Sequence, residues 1–276
     1  MLNFGSGQGL KNLLGYFWPQ RHWALVLQMA ARDVSMRYRQ SWLGLAWLVL
    51  TPMAMLAVYT LVFKQVFQVR WSAPEEGHWA FALRIYAGLA VFNFFAEYVN
   101  RAPTLVVEHP HLVKKVVFPL ETLPWVSLLS GLVGLLVATG VLAMLSLLGM
   151  GHVPVTALAL WVVWLPLLPL CLGLGWALAA LGAFVRDVGQ VLSMVMSALV
   201  FVSPVFFPVS VLPKVAQDWM WLNPLAGPMT QTRMVLLDGV WPDWSSWSMS
   251  MFAGCVVAWL GAWLFNKLRP GFADVL

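Results

Sequence analysis

Three arginines are the side chains best placed to do chemistry. Arg32, Arg37 and Arg39 fall within eight residues, with Tyr38 between the last two, directly ahead of an uncharged run over 40–63. A guanidinium stays charged and presents a planar fork that matches phosphate oxygens in pairs. Cations crowded against the start of an apolar run sit at headgroup level, where they anchor the topology or bind anionic lipid. Arg37 also lies four residues after Asp33, the spacing of a helical ion pair.

Other reactive sets are missing. No G-x-x-x-x-G-K-[ST] loop exists; the stretch Gly7, Gln8, Gly9, Leu10, Lys11 has neither the spacing nor a following Ser or Thr. No His, Asp or Glu set has metal-ligand spacing, and His109 and His111 read as loop residues across Pro110. No Ser-His-Asp set and no chain of intramembrane acids can be drawn. Glu97 is the one carboxylate well inside an apolar window, near one end. Cys171 and Cys255 both lie in apolar runs and form no disulfide framework. The chain itself is therefore expected to bind no cofactor or metal and to catalyse no reaction.

The elements that position the arginines follow from composition. Of 276 residues, 61% are hydrophobic and 10% charged, against about 25% charged in a soluble domain. Mean hydropathy is +0.79. Such a chain is an integral membrane protein. A helix needs ~20 apolar residues to cross the hydrocarbon. Uncharged windows predict six spans, at 41–66, 79–100, 121–149, 154–185, 188–203 and 244–267. The third and fourth share one window over 122–185, too long for one crossing, hinged at Gly149, Gly151 and Pro154. The fold class is all-α, one membrane domain over 1–276. The first 20 residues carry Gly5, Gly7, Gly9 and Pro19 and are not expected to be a cleaved signal peptide.

Six spans leave both termini on one side. With that side cytoplasmic, eleven of the 16 Lys and Arg lie inside, as the positive-inside rule requires. The expected location is a cell membrane crossed several times, with both termini in the cytoplasm. Residues 20–40 form an amphipathic interfacial helix: Trp23, Val26, Leu27, Ala30, Ala31, Val34 and Tyr38 make an apolar stripe, and Arg21, Gln28, Arg32, Ser35 and Arg39 a polar one. Proline-rich 204–240 reads as short re-entrant helices at the outer face, tolerated at membrane depth only under cover of protein or water. A plain outer loop is the competing reading. Residues 103–119 read as a cytoplasmic loop with short helices. Leu112, Val113, Val116 and Val117 beside Lys114 and Lys115 suit either docking on a soluble partner or a solvated connector.

Several blocks resemble ABC type-2 transporter permeases of the polysaccharide-export group. They are Arg32, Asp33, Arg37, Tyr38, Arg39, Ser41, Leu43, Gly44 and Trp47 with Pro52 and Phe63 downstream; Leu112 to Pro119 with Glu121; Phe184 and Arg186 to Gln190; Ser203 to Pro208 with Leu222, Asn223 and Pro224; and the tail Phe272 to Leu276. Arg269, Pro270 and Gly271 depart from the pattern, which leads to expect a more charged helix there. The tail then occupies 268–276.

The resemblance implies a homodimer joined by two copies of a separate ATP-binding subunit, which carries the ATP and Mg. It implies export of a polyprenyl-diphosphate-linked glycan such as O-antigen, capsule or teichoic acid, with membrane lipids as further partners and no nucleic acid. Arg32, Arg37, Tyr38 and Arg39 would then flank the cytoplasmic entrance for the lipid diphosphate; anchoring, ordinary lipid binding and ATPase contact remain competing roles. Glu108, His109, Leu112, Val113, Lys114 and Lys115 would couple to the ATPase. Of 17 Trp and 16 Phe, most suit interfacial belts. Trp42, Trp47, Tyr59, Phe94, Phe206 and Phe207 are the candidates for lining a pore or gate. Alternatives are a drug- or lipid-exporting permease of the same fold, a membrane enzyme acting on polyprenyl lipids, and a non-catalytic scaffold.

Overall fold

A computed structural model describes residues 16, 20–39, 46–61, 78–113 and 118–275. These residues form helices and turns, with no strand among them. The order is α1 Trp23–Arg39, α2 Trp47–Thr60, α3 His78–Arg101, α4 Pro110–Val113, α5 Leu123–Met150, α6 Leu160–Trp164, α7 Leu167–Phe184, α8 Val188–Val202, α9 Lys214–Trp219, α10 Ala226–Leu236, α11 Trp244–Leu268 and α12 Phe272–Val275.

Among the described residues, four helical stretches are long and apolar enough to cross a membrane: Ala80–Thr104, Leu120–Met150, Val155–Phe184 and Trp244–Gly271. The 15-residue α8 is a shorter apolar helix. At 1.5 Å per residue it covers about 22 Å. The 14-residue α2 lies within the expected span at 41–66, of which 41–45 and 62–66 lie outside the described residues.

Local sequence explains the breaks. Gly151, at φ 76°, takes the left-handed conformation that ends α5. Pro166 has no N–H to donate, and the chain tightens there between α6 and α7, with Leu168 N donating to Leu165 O at 3.1 Å. The fourth span expected at 154–185 is therefore built from α6 and α7 in succession. Pro204 follows the end of α8, after which Val205 and Phe206 turn into the core.

α7 and α11 form the most extensive helix pair. Glycine makes it possible: a Cβ on Gly173 would overlap the backbone at Val257, and one on Gly261 the carbonyl of Gly173. Helices in lipid gain from such close approach because no hydrophobic force drives them together. The opposite face of α11 exposes Phe252, Trp259 and Trp263, as a lipid-facing surface should. α3, almost wholly buried, packs against α5, α10, α2 and α8 and is the centre of the fold. α1 lies along α5, where Val26 and Ala30 bury against Val126.

Candidate functional site

The inward face of α1 carries an acid. Val26, Ala30 and Asp33 follow one another at helical spacing, so the packing that buries the first two turns Asp33 toward the bundle. There it meets Arg101, the last residue of α3. Arg101 Nη1 donates to Asp33 Oδ2 at 2.5 Å, and Nη2 donates to Oδ1. Ser130 of α5 donates to Oδ2 at 2.6 Å. One turn along α1, Arg37 approaches Asp33 Oδ2 at 3.7 Å and also pairs with Glu97 of α3. Burial pushes the Asp33 carboxyl up; the hydrogen bonds from Arg101 and Ser130 and the charges of Arg101 and Arg37 together outweigh it and hold the group below its usual value. Two arginines and two carboxylates thus tie α1 to α3, and Ser130 joins α5 to them.

Next to this network a cleft of about 300 Å³ opens between α2, α3 and α5. Trp47 and Thr51 come from α2; Tyr86, Asn93, Phe94 and Glu97 from α3; Gly131, Gly134 and Ala138 from α5. Glu97 belongs to both, so the network borders one end of the cleft.

A second arginine cluster lies where the chain folds back after α8. Arg233 of α10 is buried. Its Nε donates to the Arg84 carbonyl at 2.8 Å, Nη1 to Pro204 O at 2.5 Å and Nη2 to Val205 O at 2.8 Å. Arg84 pairs with Asp238 at 2.7 Å. Asn223 donates to Ser203 Oγ at 2.9 Å and accepts from Leu225 N at 3.0 Å. The prolines break the helix here, and these side chains satisfy the carbonyls and hydroxyl it leaves.

The loop after α3 is anchored on one side and open on the other. Ala102, Pro103, Leu105 and Val106 are buried. The Pro103 carbonyl sits where a Cβ on Gly182 of α7 would be. Glu108, Pro110 and His111 are exposed, with Val107 beside them. Leu112 is half-buried, with part of its side chain packed against the core.

The family described as ABC-2 type transporter matches residues 24–237, a range that takes in the network, the cleft and the buried Arg233. The chain belongs to the ABC-2 type transporter family. It is similar along nearly its whole length to permeases of that family. The O-antigen export system permease protein RfbA of Myxococcus xanthus is 28% identical over 255 residues, 91% of this chain and 94% of that protein. One RfbA of Klebsiella pneumoniae is 24% identical over 273 residues, 97% of this chain and 98% of that protein. The polysialic acid transport protein KpsM of Escherichia coli is 24% identical over 209 residues, 75% of this chain and 79% of that protein.

The site residues expected of this ABC-2 permease fall in different places. Arg32 is exposed on α1, facing away from the bundle, while Arg37 is engaged with Asp33 and Glu97. The side chains of Tyr38, Arg39, Tyr59 and Val113, and residues Trp42, Lys114 and Lys115, lie outside the described residues. Trp47 and Phe94 both line the cleft. Phe206 is buried in the core against Phe201, with ring centroids 6.0 Å apart, and Phe207 lies near Trp219, Leu222 and Pro224. The candidate aromatics therefore divide between two regions. Glu108 and His109 sit on the open side of the loop, where His109 Nδ1 lies 3.1 Å from the Leu105 carbonyl. Sequence reasoning assigned no role to Arg101, Ser130, Tyr86, Asn93 or Gly134. Where the tail pattern departs, Arg269 pairs with Glu121 at 3.0 Å.

Proposed function

We propose that this chain is the membrane-spanning subunit of an ATP-driven exporter that moves a polyprenyl-diphosphate-linked polysaccharide from the cytoplasmic side outward. The observation that carries the reading is near full-length similarity to O-antigen export permeases, 97% of this chain against 98% of one of them. Two copies pair with two copies of a separate ATP-binding subunit, which holds ATP and Mg. Six helices cross the bacterial inner membrane, α2 and α8 serving as the first and fifth spans, and both termini are cytoplasmic. Residues 204–240 form the re-entrant outer face.

Each region then has a task. The end of the bundle bearing Asp33 and Arg101 is cytoplasmic. Arg32, Arg37, Tyr38 and Arg39 attract the lipid diphosphate at headgroup level, where bidentate guanidinium contacts are strong. Glu108, His109, Leu112, Val113, Lys114 and Lys115 form the surface that seats on the ATP-binding subunit. Because the loop is anchored on α7 through Pro103 and Gly182, a push on it reaches the α7–α11 pair. Closure of the ATP-binding subunits shifts the two halves of the dimer and opens a path past Phe206 and Phe207.

Purification from native membranes in mild detergent tests the reading. A 2:2 complex with an ATP-binding protein, and loss of surface glycan when the gene is deleted, are the expected results. A stable lone chain without such a partner, or intact surface glycan in the deletion strain, would overturn it.

A further inference from the structure

We infer that the cleft between α2, α3 and α5 is a saccharide-binding subsite, in which Tyr86, Asn93 and Thr51 meet sugar hydroxyls and Trp47 offers a ring face. The inference rests on the glycan-export reading and adds a place on the chain where the cargo is held.

Three observations carry it. The first is an orphaned hydroxyl. Tyr86 is 1% exposed and lines the cleft, and its Oη has no hydrogen-bond partner among the described residues. A buried polar group without a partner is costly and uncommon. The second is a ladder. Tyr86, Asn93 and Glu97 lie on one stripe of α3, seven and eleven residues apart, or about 10 and 16 Å along the axis. Ala90 between them adds no bulk. The third is the facing wall. α5 presents Gly131, Gly134 and Ala138, and a Cβ on Gly134 would meet nothing within 4 Å. The space is made by absent side chains on one helix opposite polar ones on the other.

The chemistry selects the occupant. An acyl chain would leave Tyr86, Asn93 and Thr51 facing hydrocarbon with nothing to bond. A free anion finds no cation in the lining, whose one charged side chain is the carboxylate of Glu97. A sugar supplies hydroxyls for the ladder and an apolar face for Trp47, which is 47% exposed. Neutral hydroxyl and amide contacts also hold a polymer without fixing it, as a sliding cargo requires.

The test uses the full chain in the producing cell with its ATP-binding partner. With p-benzoylphenylalanine at position 134, irradiation should give an adduct that reacts in a periodate glycan stain. The same probe at position 263, on the exposed face of α11, should not. An adduct with phospholipid alone at 134 overturns the inference. In a second measurement, Tyr86→Phe, which deletes only Oη, should lower surface glycan about fivefold, the effect of one hydrogen bond. Gly134→Trp should lower it further. Gly140→Trp, on the same helix with open space around it, should leave it unchanged, with equal membrane levels and partner recovery throughout. Normal export in both cleft variants overturns the subsite and leaves the exporter reading standing. Surface glycan unaffected by deleting the whole chain overturns both.

Discussion

Arg101 closes α3 and grips Asp33 of α1 through both of its terminal nitrogens, across 68 residues of sequence. The fork geometry is what makes the contact two-pointed, and lysine cannot reproduce it. Arg101→Lys should keep the charge and loosen α1. Both side chains are partly exposed, 26% and 15%, so the cost should be about 1–2 kcal/mol, the lower part of the range for hydrogen bonds to charged groups. Thermal unfolding in detergent and hydrogen exchange over Trp23–Arg39 measure it. Unchanged melting and exchange would show that the Val26 and Ala30 packing and the Arg37–Glu97 pair hold α1 without it.

The same contact sets a pH dependence. The folded Asp33 carboxyl lies below its unfolded value. Its contribution is therefore complete above the unfolded carboxylate range, near ~4, and is lost as pH falls through the folded value. Wild type should lose more melting temperature between pH ~7 and ~3 than Asp33→Asn does. Parallel curves for the two proteins would place the acid sensitivity elsewhere.

Legibility from sequence followed a physical division. The windows behind α3, α5, α7 and α11 are visible because lipid demands an uncharged surface whatever packs behind it. The break at Pro166 was harder to see, since prolines occur in membrane helices whose neighbours repair them. Charged residues can be assigned to a side from sequence, but their partners in space cannot. Asp33 reads as a neighbour of Arg37 at helical spacing, yet its closest contacts are Arg101 and Ser130, on two other helices. No local pattern encodes that choice; it follows from the Val26 and Ala30 packing that rotates α1. Gly134 carries no signal at all in a glycine-containing helix, because its meaning is the empty space beside it.

Arg233 illustrates the limit from the other side. In sequence it is one of five outer cations, whereas in the fold it donates to three backbone carbonyls, those of Pro204 and Val205 at the break after α8 and that of Arg84 on α3. Arg233→Met should leave those carbonyls without these donors in a buried setting and cost about 3 kcal/mol or more. Arg233→Lys should recover part, with one flexible ammonium in place of the fork. Proteolysis between Ser203 and Leu212 and melting in detergent give the readout. A Met variant that melts like wild type would mean that Val205 and Phe206 are held by packing alone.

The α7–α11 seam gives the sharpest steric test. A Cβ on Gly261 would overlap the Gly173 carbonyl, which belongs to the backbone of α7 and cannot turn aside as a long side chain can. Gly261→Ala must therefore push the helices apart, although alanine is the better helix former by about 1 kcal/mol. Overpacking of this kind costs about 1–3 kcal/mol, so the steric penalty should win and the variant should melt lower. Gly140→Ala, with open space around its Cβ, should melt at the same temperature or slightly higher. If Gly261→Ala also gained stability, the helix pair would have room to spread, and loop pressure at Pro103 would be absorbed at the seam instead of moving both helices together.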